Sequence, residues 1–445
     1  MQRTIILLDL PWTRDKDPRV PLGHARILSA LRRDTPLDVR SLVIPLNGPN
    51  SSPDSIVSRI LAEATTASGE IDLGIGVYIW CERVVCALLR ELRRCGFSGR
   101  IILGGPQISY TSPNVAALYP GADAFIRGYA ESALCELAMQ PGRPRIPGVV
   151  YRGGFDQALQ AESSLSNLPS PWLDGTVPVR PGGLVRWETQ RGCPYKCSFC
   201  QHRQAGTSPP SLRGDRERLD AEIDLFAEVG VGEVAILDPV FNSRTPGEPH
   251  RATRILEQFA ERGFEGRISL QCRPELIDDA FLDKCRVLDV QLEFGLQTVV
   301  PQEWGPIRRG NKLPRVDAAL RKCIELGIDH QVSLIFGLPL QTLASFEASV
   351  QWCLSRDVQV LRAFPLMLLR GTTLERERDR WDLRETDTQM PVVCASSSFD
   401  QSDWLAMARI SDSLRATEGE HPYTVEELRG RAGQDPADMA RWTPG

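Results

Sequence analysis

Short apolar runs recur along this chain, separated by amphipathic stretches of helical spacing, and this alternation is the strongest constraint on its fold. From residue 4 to about 138 the runs are "TIILLDL", "DVRSLVIP", "IDLGIGVYIW", "GRIILGG" and "ADAFIRG". Between them lie segments such as "PLGHARILSALRR" and "ERVVCALLRELRRCG". A run that is apolar throughout, rather than at every second position, buries both of its faces, which a helix-covered parallel sheet allows. The pattern therefore predicts an α/β fold whose first domain, residues 1–140, is a doubly wound, Rossmann-like parallel sheet. Sheets of this kind bind ligands at the carboxyl ends of their strands. The candidate binding residues are those at the strand ends: Trp12; Tyr78, Ile79 and Trp80; Gly104, Gly105, Pro106 and Gln107; and Gly128, Tyr129 and Glu131. The glycines among them would let a large flat ligand approach the backbone, unless they only turn the chain.

Residues 141–183 are dense in Pro, Gly and Ser and read as a linker with one hairpin. The alternation then resumes. Strands are expected near 184–190, 233–238, 267–272, 288–297, 330–337 and 358–366, with helices such as "DRERLDAEIDLFAEVG" and "PRVDAALRKCIELG" in the gaps. Six such units fall short of a closed eight-stranded barrel and predict a partial (β/α)6 barrel over 184–370, its site at the carboxyl ends of the strands. From 371 to 445 the rhythm is lost. A small α-rich C-terminal cap is expected there, its Trp381, Phe399 and Trp404 with Arg370 either lining the active site or forming core.

With 42% apolar residues in 445 the chain can bury the cores this organisation needs. Its net charge is −5 and its 52 Lys and Arg residues are dispersed, which argues against nucleic acid as a partner. The apolar run in "MQRTIILLDLPWTRDKDP" is too short for a signal peptide or a membrane span, so a cytoplasmic protein is expected. In a reducing compartment most of the 12 cysteines, scattered through helix and strand patterns, read as small buried apolar residues.

Cys193, Cys197 and Cys200 in "WETQRGCPYKCSFCQHR" are different. They follow the first strand of the second domain, in the loop where this architecture carries chemistry. A disulfide would leave an odd thiol, and a zinc ion would want a fourth ligand, for which His202 is the nearest candidate. A three-cysteine site with one open position suits a [4Fe–4S] cluster.

The Cys-x3-Cys-x2-Cys spacing, with Phe199 before the last cysteine and six βα units around it, resembles the radical S-adenosylmethionine (SAM) superfamily. The resemblance implies a cluster held by Cys193, Cys197 and Cys200, with SAM on the open iron. It implies that Asp238, near Asn242, contacts the methionine moiety, although the frequent Gly-Gly-Glu signature is absent. Gln271, Arg273 and Glu275 in "QCRPEL" would meet ribose or carboxylate. Glu293 and Gln297 would face the cofactor together from one strand. Ile335 and Gly337 in "LIFGLP" would lie against adenine.

A doubly wound domain ahead of such a barrel resembles the cobalamin-binding class of the superfamily. "IILGGPQISY" and "DAFIRGYAESAL" stand where that class usually reads Gly-Gly-Pro and Arg-Gly-Glu-Glu, the latter altered here. The chain has no Asp-x-His-x-x-Gly to supply an axial histidine, and His24 reads as a packed or surface residue. Tyr78 or Trp80 would then cover the lower face of cobalamin, or be core aromatics. The class implies a methyltransferase of specialised metabolism, moving a methyl group from SAM via methylcobalamin to an unactivated carbon of a small-molecule or peptide precursor. An electron donor such as flavodoxin or ferredoxin and a monomeric state are expected. Two alternatives stand within the class: methylation of an indole carbon of tryptophan without SAM cleavage, with Glu275 on the open iron, and a cyclase or rearrangement. A cobalamin sensor with a vestigial barrel would have no need of all three cysteines.

Overall fold

The computed structural model describes residues 3–202, 212–213, 215–244 and 250–431. The chain divides into two compact units, Met1–Arg186 with Leu212–Val229, and Trp187–Ser211 with Gly230–Gly445.

The first unit is built on strands β1 (Arg3–Asp9), β2 (Asp38–Val43), β3 (Glu70–Gly76), β4 (Arg100–Gly104), β5 (Ala124–Ile126) and β6 (Val149–Tyr151). They form a six-stranded sheet of order β2-β1-β3-β4-β5-β6. β1 to β5 are parallel, and β6 runs antiparallel to β5. Every residue of β1 is buried, as a run with no polar alternation requires. Because successive side chains point to opposite faces, Ile6 and Leu8 feed one core with helices 53–65 and 82–94. Ile5 and Leu7 feed the other, with helices 22–34 and 130–139. This is the doubly wound layering expected from the sequence.

The stretch 141–183 departs from the linker expectation. β6 extends the sheet, Ile146, Leu165 and Leu168 join the core around Ile5, and Trp172 is buried. Arg127, with no exposure, pairs with Asp156 and donates to the carbonyls of Ile108 and Thr111. Its apolar residues are too widely spaced to show a period, so only tertiary packing reveals that they are core.

The second sheet has the order β14-β13-β12-β11-β10-β7. Its strands are β7 (Leu184–Trp187), β10 (Glu233–Ile236), β11 (Arg267–Cys272), β12 (Val290–Gln297), β13 (Asp329–Phe336) and β14 (Val360–Pro365). Two-residue strands β8 (Gln190–Arg191) and β9 (Leu212–Arg213) lie between β7 and β10 in the chain. β10 to β14 are parallel, giving the open, six-stranded partial barrel expected. The first expected strand, 184–190, breaks after Trp187, whose buried ring meets Phe259 edge-on at 5.7 Å. The break frees the chain for the cysteine loop.

Beyond residue 371 come a hairpin, β15 (Arg384–Glu385) and β16 (Val393–Ala395), and helix 401–416, started by a capping box at Asp400. Trp404 is 1% exposed with its ring 5.9 Å from that of Phe336, and Ser411 donates to the Ala363 carbonyl. Phe399 is buried as well. These two aromatics are therefore core against β13 and β14, while Trp381 stays half-buried with Arg380 over its ring at 4.6 Å.

Candidate active site: a three-cysteine loop and a glycine-edged sheet

In the second unit the cysteine loop is pinned from two sides. Gly192 turns the chain at φ 84° into Cys193. Ser198 donates from its amide to the Ile307 carbonyl and from its hydroxyl to the Pro306 carbonyl, and its own carbonyl accepts from the Leu374 amide. Gln201 donates to the Arg370 carbonyl. Cys193 is buried, Cys197, Phe199 and Cys200 are half-buried, and all three thiols are free. Burial pushes the Cys193 thiol up, and Cys200 to about 11, so these thiols ionise at neutral pH only with a positive centre beside them. Among the described residues no three Cys, His, Asp or Glu side chains gather closely enough to hold a single metal ion. A cluster puts each thiolate on a different iron and does not require that convergence, so the donor set fits an iron–sulfur cluster.

Two buried arginines face this loop. Arg273, at the end of β11, sits 3.9 Å from the Tyr195 ring centroid in a cation–π contact and donates from Nε to Glu275 Oε1 at 2.7 Å. The second carboxylate oxygen of Glu275 is buried without a hydrogen-bond partner. Arg309, in the segment after helix 301–307, lies with Nη1 3.7 Å from Cys197 Sγ and donates from Nη2 to the Gly295 carbonyl. Arg273 and Glu275 are thus brought to the loop. Arg309 and Tyr195 were not foreseen. "IRRG" carries no motif, and Tyr195 differs from its neighbours only in standing between two of the cysteines.

The remaining expected contacts divide. Asp238 is fully buried beneath the site, not open to a ligand: its carboxylate accepts from the Thr189 and Gln190 amides, the Thr189 hydroxyl and Arg251. Asn242 likewise clasps the backbone of Arg273. Gln271 is exposed on β11, and Glu293 and Gln297 lie on the half-exposed side of β12. A bulge separates them, however, and Gln297 is left-handed at φ 70°. Ile335 is half-buried, while the Gly337 amide is taken by Gln341 Oε1 at 2.7 Å. Gln341 also donates to the Ile335 carbonyl, and Glu303, fully buried and raised by burial, accepts from Ser345 and Gln341.

In the first unit the glycines at the strand ends serve different ends. A Cβ on Gly105 would meet the Val77 oxygen at 2.8 Å and one on Gly128 the Ala161 oxygen at 2.4 Å, so chain packing already fills that space. At Gly104 the nearest atom is 3.8 Å away, which leaves its face open to a ligand. Tyr78 and Trp80 stack with centroids 4.6 Å apart, both half-buried, and Trp80 Nε1 donates to the Leu10 carbonyl. Ile79, Pro106 and Tyr129 are half-buried, and Trp12 is 48% exposed. Gln107 is turned inward to Glu82, and Glu131 is buried. Asp9, buried at the end of β1, is raised to about 6 by burial against the opposing hydrogen bond from the Leu10 amide. His24 is packed, with Nε2 2.7 Å from Ser41 Oγ. No histidine is therefore presented at this edge among the described residues, and a flat cofactor would meet Gly104 and the stacked aromatic pair.

Residues 187–353 match the family model of the radical SAM superfamily. The match takes in the cysteine loop and strands β10 to β13. Its chain is 25% identical over 367 residues to the cobalamin-dependent radical SAM methyltransferase TokK of Streptomyces tokunonensis, covering 77% of this chain and 54% of that one. It is 31% identical over 302 residues to the 2-(S-pantetheinyl)-carbapenam-3-carboxylate methyltransferase of Streptantibioticus cattleyicolor, covering 62% and 44% respectively. The chain thus spans about half the length of these curated relatives. Its fold matches the radical SAM methyltransferase TsrM of Kitasatospora setae, a structure with cobalamin and a [4Fe–4S] cluster bound, at a TM-score of 0.69 and 19% identity, over 91% of this chain and 81% of that one.

Proposed function

We propose that this protein is a cobalamin-dependent radical SAM methyltransferase acting on an unactivated carbon of a small-molecule or peptide natural-product precursor. The observation that carries the reading is the pinned loop of Cys193, Cys197 and Cys200 at the carboxyl edge of an open parallel sheet, in one chain with a second, doubly wound sheet. When bound, the cluster and SAM supply one-electron chemistry and cobalamin relays the methyl group. The chain's own contribution is positioning. The three cysteines hold the cluster. Arg273, fixed by Tyr195 and Glu275, offers a cation beside it, and Gln271, Glu293 and Ile335 line the same strand ends for SAM. Gly104 and the Tyr78–Trp80 pair give cobalamin a flat apolar seat without an axial histidine. An electron donor such as a flavodoxin or ferredoxin, a monomeric state and a cytoplasmic location complete the proposal. Among the described residues no helix is long and apolar enough to cross a membrane.

The test is anaerobic reconstitution with iron, sulfide and hydroxocobalamin, followed by turnover with methyl-labelled SAM and candidate precursors. Label in the product supports methyl transfer, and a cyclised or rearranged product without label rejects it. Iron uptake without cobalt also rejects it. A second reading is favoured by one observation, the buried and unpartnered Glu275 Oε2 behind Arg273 and Tyr195. In it, Glu275 takes the open iron and the methyl acceptor is an indole carbon of tryptophan, with no SAM cleavage. Formation of 5′-deoxyadenosine during turnover would exclude this second reading.

A further inference from the structure

Three buried arginines among the described residues each face a carboxylate. Arg127 pairs with Asp156, Arg251 with Asp238 and Arg273 with Glu275. Arg309 does not. It is 9% exposed, its Nη2 is spent on the Gly295 carbonyl, its Nε is buried without a partner, and no carboxylate of the described residues forms an ion pair with it. What its remaining nitrogen meets is sulfur, Cys197 Sγ at 3.7 Å. A buried guanidinium with no anion is expensive, because the lost hydration is not replaced. The arrangement is also specific. Arg308, left-handed at φ 50°, ends helix 301–307 and sends its own side chain outward to Glu377, which turns the next residue inward. Asn311 then holds the segment by donating to the Leu296 and Thr298 carbonyls on the far side.

We infer that Arg309 is the counter-charge of the metal centre in the cysteine loop, and that by donating to the Cys197 sulfur it raises the reduction potential of the cluster held there. The inference rests on the reading that this loop binds a [4Fe–4S] cluster. Reduction adds one electron to an already anionic group, and a fixed cation with a hydrogen bond to a ligand sulfur favours the more negative state. Arg309 thereby sets how strong an electron donor the protein needs.

The test uses the full chain, wild type, R309Q and R309K, each reconstituted anaerobically, with iron content measured and the cluster titrated with dithionite under electron paramagnetic resonance. R309Q is expected to keep its iron but become at least tenfold harder to reduce, a shift of 59 mV for one electron. R309K, which keeps charge and loses the planar fork, should fall between it and wild type. R309Q that folds, judged by circular dichroism, but takes up no iron while R309K does would also support the role. Wild-type iron content and potential in R309Q would overturn it. So would loss of fold in both variants, which would reduce Arg309 to a clamp on Gly295. Failure of the wild-type chain itself to take up iron would instead reject the cluster reading on which the inference stands.

Discussion

If Cys193, Cys197 and Cys200 each hold one corner of a shared cluster, as proposed, their substitutions should be equivalent rather than graded. Any one of them replaced by Ala is expected to abolish the cluster, seen as loss of iron and of the broad visible absorption. Full iron content in any of the three would contradict the assignment. Asp9 makes a prediction of a different kind. Burial holds its folded-state pKa at about 6, above the ordinary 3.8 of an aspartate, so the folded state holds its proton more tightly than the unfolded chain. The stability this supplies is complete below about pH 4 and is lost as pH rises through about 6. D9N removes the titration, so relative to wild type it should gain about 2 kcal/mol between pH 4 and pH 8, read from urea unfolding at both values. An unchanged difference would mean that Asp9 stays ionised. At this scale the motif stood out because three thiols in eight residues have few other uses, and Glu275 was legible only as one candidate among the polar residues of "QCRPEL". Asp238 was not. A polar residue at a strand end looks the same in sequence whether it meets a ligand or, as here, closes a buried ion pair with Arg251.

At the scale of the element, the strand ends show that like residues carry unlike burdens. Ala at Gly105 must hold φ 91° and meet Val77 backbone at 2.8 Å, so Gly105→Ala should cost about 2 kcal/mol or more in chemical denaturation. Ala at Gly104 has room, so Gly104→Ala should stay within about 1 kcal/mol of wild type yet weaken cobalamin uptake. Equal stability losses would refute the distinction. The start of the partial barrel depends on Arg251, 2% exposed, which neutralises Asp238 and fixes Thr189. Arg251→Ala leaves that carboxylate buried and unpaired, and a loss of about 3–5 kcal/mol is expected in the same assay. Strand and helix existence was legible because β1 is a continuous apolar run and β12 alternates buried and half-exposed positions, both of them local signals. The break after Trp187 and the bulge in β12 were not, since neither requires an unusual residue.

The whole molecule is two compact units, each with its own sheet and its own candidate cofactor. If each binds independently, the variant with Cys193, Cys197 and Cys200 all changed to Ala should take up no iron yet still bind hydroxocobalamin. At a hundredfold excess over Kd the vitamin should stabilise it by about 2.7 kcal/mol, visible as a rise in Tm. A variant that binds neither would show that the first unit does not hold the vitamin on its own.

The sequence by itself determined the fold class, the two parallel sheets and the three-cysteine loop, because hydrophobic periodicity and clustered thiols are local signals that few alternatives can produce. Only the tertiary structure decided that residues 141–183 supply a strand and buried core side chains rather than only a linker, and that Phe399 and Trp404 pack against strands instead of a ligand. It alone showed that Gly104 is open where Gly105 and Gly128 are filled, and that Arg309 faces sulfur where Arg127, Arg251 and Arg273 face carboxylate. The physical reason is common to all of these. Burial, free space and charge pairing depend on atoms brought together from distant parts of the chain, and no single stretch of sequence contains both partners.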